Sequence, residues 1–563
     1  MQDDYITILT NDYLKNSGIV GMMTLLKSDD AAIEGQEYFV EGNKLIIKKE
    51  YLLNADLTQL YFNCMIERFE KDTTIYRINQ KIKNMLNNKD KISDPSFEKV
   101  VKEDIVFISE KLASASFKTG IDTIKGKVED IQIYYDVINK SFKNQPIDNE
   151  LLNQLKQLQM FLSSPLVNET LCFKNIIYKY INKFWNRSFL LRNNAKKDMK
   201  ECFENDFVAP LKEYLKLDKS KMKDQCVDCG NPINNKTGVS ISFMNDFADD
   251  LVRKRSALYN FNVDMNLCPI CTFLYALTPL GFIKYHNDFL FFNDNSSIQK
   301  LCDSNSDGGK NNEDEVKENS KLEGKYYKIY QYIENAILYS TKDNINRNIQ
   351  VITRKTLDNG EIRYEFDILD GYLIKTLNHK RIKKNLEYFA TVNVIKMKDE
   401  YLSLFKEVLI RFLSKRNFYD LIDLLIKRNL ENSNDYYLIV YARKVLEIQY
   451  LTNGGKNMNY VYFATRDGND LRNRLSQLKK GDNIDESFRG TVYQLTNALR
   501  VNNKKRFLDI IIRLYTTLGA PIPQTVSSII SNENGEEIAY AFLLGLKGAF
   551  YDSKKEQEDI ADE

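Results

Sequence analysis

Two pairs of cysteines, each separated by two residues, constrain this chain more than any other feature. The first pair is Cys226 and Cys229 in "CVDCG", and the second is Cys268 and Cys271 in "CPIC". Two intervening residues let both thiolates of a pair point at one tetrahedral metal ion. Gly230 permits the tight backbone turn that such a knuckle needs. The pattern predicts a closed four-cysteine site with a structural role, and zinc is the expected metal.

The segment between the two pairs leaves an alternative open. It spans 38 residues (230–267), against roughly 15–20 in common zinc ribbons. A metal site would require this segment to fold as an insertion. Otherwise the chain carries two unrelated pairs of free thiols. Four thiolates would also suit an iron–sulfur cluster, so the spacing does not fix the metal.

The scarcity of histidine limits the chemistry of the chain. Only His286 and His379 are present, far apart and outside any triad or metal-ligand pattern. The sequence also lacks a GxxxxGK[ST] phosphate-binding motif and a GxSxG nucleophile motif. We therefore expect a protein without enzymatic activity.

Cysteine use and hydropathy bear on the compartment. The chain has eight cysteines, no start typical of a signal peptide and no apolar run near 18 residues. Free thiols at this density are typical of a reducing compartment. The expectation is a cytoplasmic protein with no membrane contact.

Periodicity predicts an α+β fold that is predominantly helical. A mixed N-terminal domain would carry the zinc-ribbon-like insertion with its four cysteines, and a helical bundle would follow it. The predicted divisions are an N-terminal α+β domain (1–225), a zinc-knuckle region with its insertion (226–271), an α+β continuation with a disordered loop at 303–321 and a hairpin at 349–369 (272–397), a C-terminal helical bundle (398–550) and an acidic tail (551–563).

Three motifs occur in an order that resembles one known family. "YLKNSGIVGMMTLL" (13–26) comes first, "FWNRSFL" (184–190) second, and the paired CxxC motifs third. In this order, with a helical C-terminal third, the chain resembles the large subunit of type I-B CRISPR surveillance complexes (Cascade), in the branch with paired CxxC motifs. The motifs cover about 70 residues, although the resemblance extends over most of the chain.

The resemblance implies a binding role inside a ribonucleoprotein complex. The expected partners are guide RNA, target DNA, the backbone and small subunits of Cascade, and a separate helicase-nuclease. The subunit would recognise the short motif beside the target on duplex DNA, assist unwinding and stabilise the displaced strand. Guide pairing would then supply sequence specificity, as in other RNA-guided systems.

The residues around "FWNRSFL" suit nucleic-acid contact on their own chemistry. Cations neutralise phosphates, and short polar side chains hydrogen-bond to bases or backbone. Trp185 would either wedge at a base step or pack in the core. The candidates here are Lys183, Asn186, Arg187, Ser188 and Arg192.

Two further segments are candidates for such contacts. "NSGIVG" would form a loop whose glycines approach a ligand, with Asn16 and Ser17 at its tip, or a helix start that one of them caps. "VRKRS" offers Arg253 and Arg255, which would otherwise be a solvated face.

The charge of the C-terminal third suggests that it binds single-stranded DNA. Residues 458–550 carry twelve Lys and Arg against nine Asp and Glu. A basic helical surface can bind a strand without reading its sequence. Arg489, Arg500, Lys504 and Arg506 are the candidates, and the alternative is an ordinary soluble helix surface.

The segment "TNGGKNM" (452–458) suggests an internal translation start. As protein it is a flexible joint before the bundle. In the messenger RNA, the codons of Gly454 and Gly455 can supply a ribosome-binding sequence a short distance before the codon of Met458. The resembled family includes complexes whose small subunit starts inside the large-subunit gene. Residues 458–563 are therefore a candidate separate product.

A second class of function stays open. The chain could be a stand-alone zinc-ribbon protein that binds DNA or RNA without partners. It would then bind nucleic acid tightly by itself, with a steep salt dependence.

Overall fold

The described part of the chain consists of stretches and single residues separated by gaps. In this computed structural model they are residues 4–91, 94–140, 147–185, 198–244, 265–285, 288–306, 326, 329–330, 349–357, 361–392, 394–396, 401–432, 435–478 and 484–550. Within them every helix is too short or too polar to cross a bilayer.

The chain divides into two compact units. The first contains residues 1–310 and 350–366, and the second contains residues 311–349 and 367–563. The finer division predicted from the sequence stays a prediction. The predicted fold class is confirmed, because helices dominate both units and the sheets are small.

A three-stranded antiparallel sheet opens the first unit. Its strands are β1 (Tyr5–Leu9), β2 (Tyr38–Glu41) and β3 (Lys44–Lys48), in the order β1-β3-β2. Gly42 turns between β2 and β3 with φ +59°, which suits a residue without a Cβ atom. Ile6, Leu45 and Ile47 face the core.

Helices form most of the first unit. They are α1 (Tyr13–Ser28), α2 (Lys49–Asn54), α3 (Leu57–Phe69), α4 (Thr74–Asn87), α5 (Pro95–Leu112), α6 (Ala115–Ile124), α7 (Ile131–Lys140), α8 (Asn149–Leu162), α9 (Pro165–Lys179), α10 (Met199–Phe203) and α11 (Ala209–Lys216). One core surrounds α1 and α3, and a second lies among α4 to α9.

Helical periodicity runs through residues 57–86, but the helix is interrupted at Thr73. This residue has φ −77° and ψ 155°, and its hydroxyl accepts a hydrogen bond from the Tyr76 amide at 3.3 Å. Thr73 therefore caps a new helix, α4, after α3 has ended. The periodicity continues across the break, so the pattern of apolar residues alone does not reveal it.

The rest of the first unit contains short strands, three helices and a second sheet. These elements are β4 (Asp224–Gln225), β5 (Pro232–Ile233), β6 (Val239–Ser240), β7 (Asn266–Leu267), α12 (Pro269–Ala276), α13 (Thr278–Gly281), β8 (Ile283–Tyr285), β9 (Asp288–Asn293), α14 (Ile298–Asn305), β10 (Ile349–Thr356) and β11 (Ile362–Leu369). The second sheet has the order β11-β10-β9-β8.

Two predicted segments fall partly on these elements. β10 and β11 are neighbouring strands, as the predicted hairpin requires, and its turn residues 358–360 lie outside the described residues. The predicted loop at 303–321 begins inside α14, and its residues 307–321 also lie outside them.

The second unit is a helical assembly with α25 at its centre. Its helices are α15 (Gly371–Leu377), α16 (Lys380–Thr391), α17 (Leu404–Leu413), α18 (Tyr419–Glu431), α19 (Tyr437–Thr452), α20 (Asn459–Leu478), α21 (Ile484–Ser487), α22 (Arg489–Arg500), α23 (Lys504–Leu518), α24 (Gln524–Ser531) and α25 (Gly535–Leu546), with the short strands β12 (Ile395–Lys396) and β13 (Tyr401–Leu402).

Glycines bring α20 and α25 into backbone contact. A Cβ atom on Gly468 would overlap the Phe542 carbonyl, and one on Gly545 would overlap the Thr465 carbonyl. All residues of α25 except Glu536 are buried. This close pair is the core of the bundle predicted for the C-terminal third.

Candidate metal centre

The first cysteine pair lies on a turn between two short strands. β4 precedes Cys226, and β5 follows the turn and pairs with β4. The Cys226 amide donates to the Asn231 carbonyl, and the Gly230 amide donates to the Cys226 carbonyl, both at 2.9 Å. Gly230 has φ +71°, so the backbone role expected for this glycine is confirmed.

The second cysteine pair lies at the start of a helix. Cys268 is the N-cap of α12, and its Sγ accepts a hydrogen bond from the Cys271 amide at 3.5 Å. Pro269 occupies the first helical position, where its missing N–H costs nothing. β7 leads into this cap and pairs with β6 from the inserted segment.

The fold brings the four cysteines into one cluster. Their Sγ atoms all lie within 4.8 Å of one another, and the Cys229 and Cys268 sulfurs are 3.5 Å apart. Sulfurs of a tetrahedral zinc site with bonds of about 2.3 Å are about 3.8 Å apart. The alternative of two unrelated pairs is therefore wrong, and the cluster can bind a metal. Cys229 is exposed and the other three cysteines are buried.

The electrostatics of the four thiols also suit a cation. Hydrogen bonds from the other thiols hold the pKa of Cys226 well below its usual range. The same contacts raise the pKa of Cys271, because its ionisation would add negative charge beside existing thiolates. All four can ionise together only around a positive ion. Four thiolates complete a tetrahedral shell, so such an ion would have a structural role.

A buried ion pair lies beside the cluster. The Lys15 Nζ is 3.1 Å from Asp228 Oδ1, and both side chains are only 6% exposed. Burial alone would lower the pKa of Lys15, but Asp228 and the Cys271 thiolate outweigh it and raise that pKa. Lys15 thus offsets the negative charge of the thiolates from α1. Sequence reasoning missed both residues, although Asp228 lies inside the CVDC motif.

The cysteine cluster borders an open cavity of about 590 Å³. β1 lines one side, and Cys229, Asn231 and Cys271 line another. Lys49 and Lys219 also contribute to the lining. Solvent can therefore reach the edge of the cluster at Cys229.

One family comparison matches this part of the chain. A family model described as "CRISPR-associated protein (Cas_CXXC_CXXC)" matches residues 219–283, which contain both cysteine pairs. This match supports a CRISPR-associated protein with paired CxxC motifs. No curated protein and no solved structure matches the chain.

The "GIVG" motif lies inside α1 and does not form the predicted loop. Asp12 caps α1, so Asn16 and Ser17 lie inside the helix, where both are fully buried. The Asn16 side-chain amide (Nδ2) donates to Asn293 Oδ1 at 2.6 Å, and the Ser17 hydroxyl donates to the Leu14 carbonyl at 2.7 Å. Both the ligand loop and the cap by Asn16 or Ser17 are therefore wrong for this structure. Their contact with nucleic acid stays a prediction.

The "FWNRSFL" motif is described only at its start. Trp185 is 1% exposed, and its ring centroid lies 5.0 Å from that of Phe207, so it is a core residue. Lys183 is half-buried. The remaining candidates of this motif and of "VRKRS" lie outside the described residues: Asn186, Arg187, Ser188, Arg192, Arg253 and Arg255.

The C-terminal candidates do not form one group. Arg500 ends α22 and Lys504 begins α23, with Arg506 two residues further on. Arg489 begins α22, so helix geometry puts it about 16 Å from Arg500. The structure therefore brings three of the four cations to this helix junction. Whether any of them binds DNA stays a prediction.

Proposed function

We propose that this chain is the large subunit of an RNA-guided CRISPR surveillance complex of the Cascade type. It would have no catalytic role. It would recognise the motif beside the target on duplex DNA, assist unwinding, stabilise the displaced strand and recruit a separate helicase-nuclease. The expected location is the cytoplasm.

One observation carries this proposal. The family match covers residues 219–283, which include the four clustered cysteines, so the similarity coincides with the candidate metal centre. The order of the "GIVG", "FWNRSFL" and CxxC motifs supports the finer assignment to the large subunit of Cascade. A zinc ion is the proposed ligand of Cys226, Cys229, Cys268 and Cys271.

Assembly tests the proposal against a stand-alone binder. The tagged chain is co-expressed with guide RNA and the other Cascade subunits, and the purified material is analysed by size exclusion and mass photometry. A stoichiometric ribonucleoprotein containing the chain is expected. A chain that elutes alone, without guide RNA or partner subunits, would contradict the assignment.

The proposal includes a separate small subunit that starts at Met458. The glycines before it have structural roles as well: Gly454 has φ +83°, and a Cβ atom on Gly455 would overlap the Tyr450 ring. Silent recoding of both codons leaves these roles intact and should remove a short C-terminal product on an immunoblot. Persistence of that product would show that these codons do not direct its start.

A product that starts at Met458 would lack hydrogen-bond partners that α25 has in the full chain. Tyr540 donates to Asp423 Oδ1 at 3.0 Å, and Asn453 donates to Glu537 Oε1 at 2.6 Å. Asp423 and Asn453 precede Met458 in the chain. The product would therefore have to bury this face of α25 against another molecule.

A further inference from the structure

Three lysines from distant parts of the sequence lie around two aromatic rings in the first unit. Lys179 ends α9, Lys183 lies four residues later, and Lys284 lies on β8. The Nζ atoms of Lys179 and Lys284 are 5.5 and 5.4 Å from the centre of the Tyr180 ring. The Lys183 Nζ is 5.8 Å from the centre of the Phe289 ring. We call Lys179, Lys183 and Lys284 the lysine cluster.

The two rings hold the cluster together. The centroids of Tyr180 and Phe289 are 6.0 Å apart, with their planes nearly perpendicular. Both side chains are buried, at 2% and 1% exposure. Because both rings are fixed in the core, they form a rigid base for the three ammonium groups. Each of the three Nζ atoms lies within about 12 Å of the centre of the Tyr180 ring.

Hydrogen bonds position each ammonium further. Lys179 donates to the Asp72 backbone carbonyl at 3.1 Å, and Lys183 donates to the Thr356 hydroxyl at 3.2 Å. Lys284 forms an ion pair with the Asp72 carboxylate. The side chains remain partly accessible, with 17% exposure for Lys284 and 26% for Asp72. The cluster is thus ordered before any ligand binds.

Positive charge exceeds negative charge around these lysines. Burial lowers the pKa of Lys183, and the cations of Arg354, Lys179 and Lys284 lower it further against the opposing effect of Asp288. Burial likewise lowers the pKa of Lys179, and the cations of Lys284 and Arg77 lower it further against the opposing effect of Asp72. Mutual repulsion of this kind is relieved when an anion binds between the cations.

Arg354 adds a buried positive charge beside Lys183. It is fully buried, it donates to the Lys183 carbonyl, and its guanidinium lies 4.8 Å from the centre of the Phe184 ring. It therefore fixes the backbone that carries Lys183 while adding a charge that solvent does not screen.

We propose that the lysine cluster binds the phosphodiester backbone of a nucleic acid. The inference deepens the proposed function, on which it rests, by adding Lys179 and Lys284 to the predicted Lys183. Lysine ammonium groups act as point charges, which suit phosphates rather than the edge of a particular base. DNA and RNA share this chemistry, so the experiment distinguishes them.

Binding of three labelled probes to the purified full chain tests the site. The probes are a 20-bp DNA duplex, single-stranded DNA and single-stranded RNA of matched length, followed by anisotropy across a salt series. Each lost phosphate contact lowers the slope of log Kd against log salt by roughly 0.7–0.9. For K179Q/K284Q we expect about tenfold weaker binding at low salt and a slope lower by roughly 1.4–1.8 on at least one probe.

Two matched variants separate charge from structure. Lys99 and Lys118 are exposed lysines on α5 and α6, and K99Q/K118Q should leave the slope unchanged. K179R/K284R keeps both charges and should retain binding. If K179Q/K284Q fails to fold, acylation of the wild-type lysines replaces it: bound probe should protect Lys179, Lys183 and Lys284 but not Lys99.

Two results would overturn the site. The first is a wild-type chain whose slope equals that of K179Q/K284Q on every probe that it binds, or whose bound probes leave the lysine cluster unprotected. The second is a wild-type chain that binds none of the probes. Neither result decides the proposed function, which fails separately if the chain does not assemble with guide RNA and its partners.

Discussion

Gly18 lies directly against the carbonyl oxygen of Leu274, so a Cβ atom at this position would overlap it. Gly21 has the same relationship to the Leu277 carbonyl. The "GIVG" motif is therefore a contact face of α1 against α12, which carries Cys271, and against Leu277 just after that helix. The N-terminal motif and the cysteine cluster are parts of one structural unit.

Substituting Gly18 by alanine should destabilise this unit. The added methyl meets main-chain atoms on α12, which cannot move aside as a flexible side chain would, so about 2–3 kcal/mol of stability should be lost. Differential scanning calorimetry measures the change. Gly490→Ala is the matched control: Gly490 lies in α22 with open space around it, so alanine should be neutral or slightly stabilising there. Equal melting of Gly18→Ala and wild type would contradict the packing.

The purified chain should contain close to one equivalent of zinc. Cys271→Ser removes one of four thiolates and should abolish most of the zinc detected by plasma mass spectrometry, with a lower melting temperature. Cys202→Ser serves as the control, because Cys202 is outside the cysteine cluster. Iron with visible absorption would instead identify an iron–sulfur cluster. Zinc retained in full by Cys271→Ser would refute the assigned ligand set.

Replacing Lys15 by methionine should weaken metal binding without touching a ligand. The variant leaves Asp228 and the thiolates without the cation that offsets them, so zinc affinity should fall about 10–100-fold. Competition with a chromophoric chelator measures it. Lys49→Met is the control, since Lys49 lines the same cavity without an ion pair to Asp228. The double variant K15M/D228N should recover part of the affinity, and unchanged affinity in Lys15→Met would disprove the electrostatic role.

The contribution of Asp423 to the stability of the second unit should fall as pH rises from about 4 to 7. Burial raises the pKa of Asp423 to about 6, with Asp420 adding to it and Arg500 and the Tyr540 hydroxyl opposing it. The folded state then holds a proton that the unfolded state releases earlier, so ionisation costs stability. Asp423→Asn can still accept the Tyr540 hydrogen bond and should be about 1 kcal/mol more stable at pH 7.5.

Melting of the wild type and Asp423→Asn across pH 4–8 checks this relationship. The advantage of the variant should shrink below pH 6, where Asp423 is protonated. Asp509→Asn, at an exposed carboxylate on α23, is the control for an Asp→Asn substitution at the surface. An Asp423→Asn difference that stays constant with pH would contradict the expected titration.

The sequence predicted features whose partners are nearby or whose chemistry is distinctive. The spacing of Cys226 and Cys229 predicted a metal knuckle from the local sequence alone, with free thiols as the alternative. The glycines of "GIVG" were also recognised as unusual. Their partners, Leu274 and Leu277, lie about 250 residues away, so no local pattern could distinguish helix packing from a ligand loop.

Features that depend on distant contacts could not be predicted in the same way. Lys284 shares the Tyr180 ring with Lys179 only because β8 and α9 meet in the fold. Conversely, Arg489 and Arg500 are near in sequence, yet the length of α22 separates them. Trp185 could have been a wedge or a core residue, and its burial among Phe203 and Phe207 decides for the core.

Target binding by the assembled complex tests the central claim most directly. The complex containing this chain is titrated with two duplexes that match the guide equally and differ only in the short motif beside the target. We predict that the duplex with the correct motif binds at least about tenfold more tightly, and that a complex lacking this chain loses the difference. Equal binding of the two duplexes by the complete complex would contradict the proposed function.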